Sequence, residues 1–195
     1  MQDNLIINCA VDDTLDQLSQ AEYGAHYMVI YPDLVILREL YSNYLRKQIE
    51  GNNEIILINP FYETTDSVRR VLSEKYNDGM DSISKYEKEE SLVIADSLKE
   101  YLGDQPLVYI KKGLTNCAKM RKKGLSVLAD LGAYTHKSKH KELVEYELSL
   151  PRKYDMRMKG YCLYHQKDFD KLSDEQQQTL IEHHSKAVRI MEIQE

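Results

Sequence analysis

The chain has 195 residues, 42% hydrophobic and 30% charged, with 26 basic against 32 acidic side chains and a formal net charge of −6. That length buries a real core and suits one domain, 1–195, whose first 22 residues read as a short N-terminal extension. The acidic balance argues against general nucleic-acid binding. No apolar run approaches the ~20 residues that span a bilayer, and MQDNLIINCAVDD lacks the basic start of a secretory signal, so a cytoplasmic location is expected.

Apolar runs of strand length alternate with amphipathic segments of helix length. Leu5–Ala10 suggests a small edge strand and Thr14–Glu22 a short helix. HYMVIY, His26–Tyr31, reads as a strand, and Asp33 is placed to cap the helix that follows through Leu34, Leu37, Leu40, Tyr41, Tyr44, Leu45 and Ile49. Gly51-Asn52-Asn53 stops that helix. EIILIN, Glu54–Asn59, is continuously apolar, as a strand covered on both faces should be. Thr64 or Thr65 then opens a helix to about Tyr76, and Asn77-Asp78-Gly79 is a turn.

The segment 80–90 is polar and reads as a mobile or short helical connection. LVIAD, Leu92–Asp96, is a strand candidate, with helix over Ser91–Leu102 as the alternative. A helix is expected over about Leu107–Lys123, a strand in SVLADLGAY from Ser126, and a helix over Lys139–Leu150 ended by Pro151. KGYCLYHQKDF, Lys159–Phe169, carries a strand at Tyr161–His165 that ends in a polar turn. Ser173–His184 is helical and Ala187–Met191 is the last strand. Strands alternating with helices pair in parallel through crossovers. The expected fold is therefore an α/β three-layer sandwich around a mainly parallel sheet.

Ligands of such sheets sit beyond the carboxyl ends of the strands. That rule predicts one cleft containing Tyr31, Asp33, Asp130, Tyr134 and His165, with the carboxylates and imidazole suited to a polar or cationic group and the tyrosines to an apolar body. A phosphate-binding loop needs GxxxxGK[ST] between strand and helix. The first junction, Tyr31-Pro32-Asp33-Leu34, has neither glycine nor lysine. ATP hydrolysis is therefore not expected, and no nucleophile or metal motif stands out, so the chain reads as non-catalytic with no cofactor.

Cys9, Cys117 and Cys162 are odd in number and widely spaced, which suits free thiols better than a disulfide framework or a zinc motif. His136 and His140 would form an i, i+4 metal pair only if both were helical. Lys111, Lys112, Lys119, Arg121, Lys122 and Lys123 read as a solvated helix face, with an anion site as the alternative. Fifteen tyrosines beside two phenylalanines and no tryptophan leave room for a tyrosine-lined pocket.

From Gly124 onward the spacing resembles the MEDS domain, the sensory domain of methanogen, methylotroph and dichloromethane-responsive regulators. The carrying residues are Val127–Gly132, Glu145-Tyr146-Glu147, Tyr161-Cys162-Leu163-Tyr164 with Phe169, and His183-His184, with His26–Tyr31 and Glu54–Asn59 fitting the domain's start. The resemblance implies a RecA-like, clock-ATPase-related core without the P-loop, and a sensing role for hydrocarbon-derived ligands. It marks His26, Tyr146, Glu147, Cys162, Tyr164 and His184 as matched positions, without catalytic roles. It implies a small-molecule ligand, with output through a protein partner or self-association. The alternatives are a degenerate nucleotide-binding protein, using Asp130 near a metal, and an interaction subunit of a larger assembly.

Overall fold

The computed structural model of the chain describes residues 5–75, 79–96 and 108–191. Seven strands form one all-parallel sheet: β1 (Ile7–Cys9), β2 (His26–Tyr31), β3 (Ile55–Asn59), β4 (Leu92–Ile94), β5 (Leu125–Asp130), β6 (Met158–His165) and β7 (Lys186–Ile190), in the order β1-β7-β2-β6-β5-β3-β4. The helices are α1 (Val11–Ser19), α2 (Leu34–Arg46), α3 (Thr65–Lys75), α4 (Gly79–Lys88), α5 (Val108–Lys119), α6 (Gly132–His136), α7 (His140–Ser149), α8 (Gln166–Phe169) and α9 (Asp174–His183), and a π-helical turn, Lys47–Gly51, extends α2.

Successive strand side chains point to opposite faces, and two separate cores result. Val29 and Tyr31 of β2, Ile56 and Ile58 of β3, Leu128 of β5, and Tyr161 and Leu163 of β6 join residues of α1–α4. Met28 and Ile30, Ile55 and Leu57, Val127 and Ala129, and Cys162 and Tyr164 join residues of α5–α9. Helices thus cover both faces and the molecule is a three-layer α/β sandwich. The unbroken apolar runs of the central strands β2, β3, β5 and β6 follow from this, because neither of their faces meets water, whereas the edge strand β1 is largely exposed.

Local chemistry sets the helix ends. One Asp33 carboxylate oxygen accepts from the amides of Val35 (2.7 Å) and Ile36 (3.0 Å), satisfying two donors left over at the start of α2. Ser173 and Gln176 form a reciprocal capping box at α9. Asn53 takes φ +55° after the π turn, the left-handed conformation that asparagine tolerates.

Several expected boundaries move. The strand begun at Ser126 was expected to run through Tyr134, but β5 stops at Asp130 and Gly132–His136 is helical. Gly132 permits this turn, since a Cβ there would meet Phe61 Cδ1 at 2.4 Å. The connection at 80–90 is largely the helix α4, which buries Ile83 in the first core. Leu92–Ile94 is a strand, paired in parallel with β3. The first helix begins at Val11 rather than Thr14, and β6 starts three residues ahead of Tyr161, at Met158. Tyr76, Asn77 and Asp78, and the stretch from Ser97 to Leu107, lie outside the described residues.

Candidate functional site: a buried His/Cys/Glu cluster beside an apolar pocket

On the face of the sheet covered by α5–α9, four side chains from four elements meet. His26 begins β2. Cys162 lies in adjacent β6, where the register pairs His26 with Gly160 and Met28 with Cys162. Both point to the same face by strand alternation. Glu147 descends from α7, and His184 follows the last residue of α9. All four are buried, and their candidate ligand atoms lie within 4.8 Å of one another.

The two imidazoles are oriented from behind. His26 Nδ1 stands 3.0 Å from the Pro151 carbonyl oxygen, and His184 Nδ1 stands 2.7 Å from that of Leu180. A carbonyl only accepts, so each Nδ1 carries its proton and each Nε2 faces the cluster. His26 Nε2 is 3.3 Å from Cys162 Sγ and 3.5 Å from Glu147 Oε2. His184 Nε2 is 3.4 Å, and Cys162 Sγ 3.6 Å, from that same oxygen. The other carboxylate oxygen, Oε1, accepts from the Tyr164 hydroxyl at 2.9 Å.

The cluster's electrostatics follow from burial and the two rings. Burial alone would push Glu147 up, but attraction and hydrogen bonding from His184 and His26 hold it below the usual carboxylate range. Burial, with Glu147 adding to it, pushes the Cys162 thiol and the Tyr164 hydroxyl well up. This is not a nucleophilic triad. A triad places the thiol and the acid at opposite nitrogens of one imidazole, whereas here both approach the same His26 Nε2.

Cys162 also lines an apolar pocket of about 260 Å³ with Ile110, Val127, Ala129, Leu131, Tyr146 and Tyr154. The Tyr154 ring lies against Gly160, where an added Cβ would meet it at 2.8 Å, and 5.1 Å from the His26 ring. Tyr154 therefore stands between pocket and cluster, and its hydroxyl is pushed up by burial. Tyr146 forms another wall and stacks on Tyr134 with ring centroids 5.6 Å apart.

The five residues expected to share one cleft at the strand ends do not surround one. On the opposite face, the Tyr31 hydroxyl donates to Asp130 Oδ2 at 2.7 Å, and the Gly132 amide donates to Oδ1 at 2.9 Å. His165 packs edge-on to Tyr31 at 5.2 Å. Tyr62, from the loop after β3, packs against His165 and donates to Asp168, whose other oxygen takes Lys171 at 2.8 Å. Tyr31 and Asp130 are 0% and 1% exposed, so the chain's own side chains fill the place reserved for a ligand. Asp33 is used as the α2 cap. Tyr134 lies in the other core, because α6 turns the chain across the sheet after Asp130. Burial pushes Asp130 up to about 7 against the lowering effect of its two hydrogen bonds, with Asp168 adding to the rise.

His136 and His140 sit on separate short helices rather than on successive turns of one. Of the basic stretch, Lys111, Lys112, Lys119, Arg121 and Lys123 are exposed, and Lys112 pairs with Glu90 at 2.5 Å. Cys9, Cys117 and Cys162 are free thiols.

Spacing could not have announced the His/Cys/Glu cluster, since its members stand at 26, 147, 162 and 184. What the sequence did offer was position: a histidine opening one apolar strand and a cysteine inside another. Also missed was the buried ion pair at the opposite strand ends. There Lys159 Nζ meets Glu54 Oε1 at 2.8 Å, and Glu54 Oε2 accepts from Ser126 at 2.6 Å.

Comparison of the chain with protein-family models, curated proteins and solved structures finds no match. Among the described residues, no helix is long and apolar enough to cross a membrane.

Proposed function

We propose that the chain is a non-catalytic sensory or regulatory domain that takes a small, mainly apolar molecule into the pocket between α5, α7 and the sheet. The observation that carries this reading is the pocket itself: about 260 Å³, walled by aliphatic and aromatic side chains, and joined through Cys162 to a buried polar cluster. Apolar walls with few convergent polar groups are the usual make-up of a small-molecule site, and this volume suits a ligand of few atoms. The resemblance to the MEDS sensory domain points the same way.

The same elements support an output through protein contact. Tyr146, Ser149 and Leu150 of the α7 region line the pocket with Met156, which is itself partly exposed at the surface beside the exposed Leu148. A ligand that moves α7 moves that surface. The nucleotide-binding alternative has less support, since both Asp130 oxygens are already engaged by the protein.

The test is a thermal-shift titration of the full chain with short haloalkanes, alcohols and thioethers, in parallel with Ala129→Leu, which fills the pocket. A true ligand stabilises the wild type by about 2.7 kcal/mol at a hundredfold excess over its Kd, and Ala129→Leu abolishes the response. Equal responses in the two proteins, or none across the panel, would overturn the reading.

A further inference from the structure

We infer that His26, Glu147, Cys162 and His184 form a four-coordinate site for a divalent transition-metal ion of the zinc class. The ligand pocket is not required for this, and the two readings stand or fall separately.

Around Glu147 Oε2 the three neighbours stand at 3.4, 3.5 and 3.6 Å, and His26 Nε2 to Cys162 Sγ is 3.3 Å. Charge-assisted N–H···O bonds close to about 2.7–2.9 Å, so this is an open arrangement for a self-contained ion-pair cluster. Metal–ligand bonds of about 2.0–2.3 Å, set tetrahedrally, give ligand-to-ligand edges of roughly 3.3–3.6 Å. These four separations match edges of such a tetrahedron, and all four ligand atoms lie within 4.8 Å of one another.

Metal-bound histidines hand their other ring proton to a carbonyl or carboxylate, which fixes the tautomer and aims the lone pair. Both imidazoles here do so, towards Pro151 and Leu180. Glu147 is held similarly: Tyr164 occupies Oε1 and leaves Oε2 directed into the cluster.

The four side chains are fully or almost fully buried, and an unbalanced charge there is costly. A dication bound by one thiolate, one carboxylate and two neutral imidazoles is electrically neutral. Binding releases the Cys162 thiol proton to solvent, with any proton carried on an imidazole Nε2, and no oxidant or reductant is needed. One thiolate with two imidazoles and a carboxylate is borderline-soft, which suits zinc and its neighbours over magnesium or calcium. With all four positions supplied by protein, the ion would clamp β2, β6, α7 and the end of α9 together.

The experiment strips the full chain with a chelator under native conditions, re-equilibrates it with zinc or cobalt(II), and desalts it. One equivalent of either metal should remain. The cobalt form should show the intense visible bands of a four-coordinate ion and a thiolate-to-cobalt charge-transfer band, and Cys162→Ala should lose the latter. Glu147→Gln, which replaces a direct ligand, should weaken binding by at least the roughly 10–100-fold that loss of an outer-shell partner costs. Failure of the wild type to retain metal at micromolar concentration, or an unchanged cobalt spectrum in Cys162→Ala, overturns the site. If Cys162→Ala does not fold, X-ray absorption of the wild-type zinc form decides: one sulfur with three lighter neighbours supports it, and a sulfur-free shell refutes it.

Discussion

Asp130 and Glu147 are both buried carboxyls on opposite faces of one sheet, and the fold treats them in opposite ways. Asp130 has a tyrosine hydroxyl and a backbone amide for company, with Asp168 near, and burial carries it up to about 7. Glu147 has two imidazoles, a thiol and a tyrosine hydroxyl, and it is held below the ordinary range. Each accepts one tyrosine hydrogen bond, so that feature does not divide them. What divides them is the presence of groups that can carry positive charge. The lesson is that burial alone does not tell whether a carboxyl is ionised; its neighbours decide.

The largest test of that contrast is Glu147→Ala. It leaves His26, His184, Cys162 and Tyr164 without their common acceptor in a dry interior. Removing one partner of a buried ionic cluster costs about 3–5 kcal/mol, read as a fall in the urea midpoint at constant m value. A loss below ~1 kcal/mol would mean that Glu147 is not the hub of the cluster.

Next comes the pH dependence of Asp130. Its folded value near 7 lies above its ordinary 3.8. The folded state therefore holds the proton more tightly than the unfolded chain, and stability falls as pH rises from 3.8 to about 7, then levels. Asp130→Asn removes that slope. The variant should be more stable than wild type at pH 8 by about 1–3 kcal/mol, with the gap narrowing towards pH 5. Parallel stability curves for the two proteins would break the assignment.

The smallest test pairs Tyr31→Phe with Tyr164→Phe. Each removes one hydroxyl from one carboxyl. A hydrogen bond to an ionised acceptor is worth about 1.5–3 kcal/mol and to a neutral one about 0.5–1.5. Tyr31→Phe should therefore cost more at pH 8 than at pH 5, whereas Tyr164→Phe should cost the same at both. Identical pH behaviour would erase the distinction between the two acids.

Much of the fold was legible because it is written locally. Hydrophobic runs of five or six residues, Gly51-Asn52-Asn53, and the Asp33 cap each act over one or two turns of chain. The errors fell where a tertiary contact overrides propensity. Ala133 and Tyr134 continue an apolar run that looks like strand, yet Gly132 packs beneath Phe61 and the chain coils. The strand-end rule brought Tyr31, Asp130 and His165 to the right edge, but it could not show that they fill it. The His/Cys/Glu cluster was legible only as separate marks, because its geometry depends on the β2–β6 register and on where α7 and α9 come down. Neither is encoded by spacing.

The order of strands across the sheet also sets a timetable. β7 lies between β1 and β2, although it is made last, and His184 stands two residues before it. On a ribosome adding about 5–20 residues per second, roughly 150 residues must follow His26 before its last partner emerges, a wait on the order of ten to thirty seconds. Throughout that interval the edge of β2 awaiting β7 is unpaired and apolar, open to any strand nearby. The chain's exposure to misassociation is therefore greatest during synthesis, and it ends when residues 186–190 slot in.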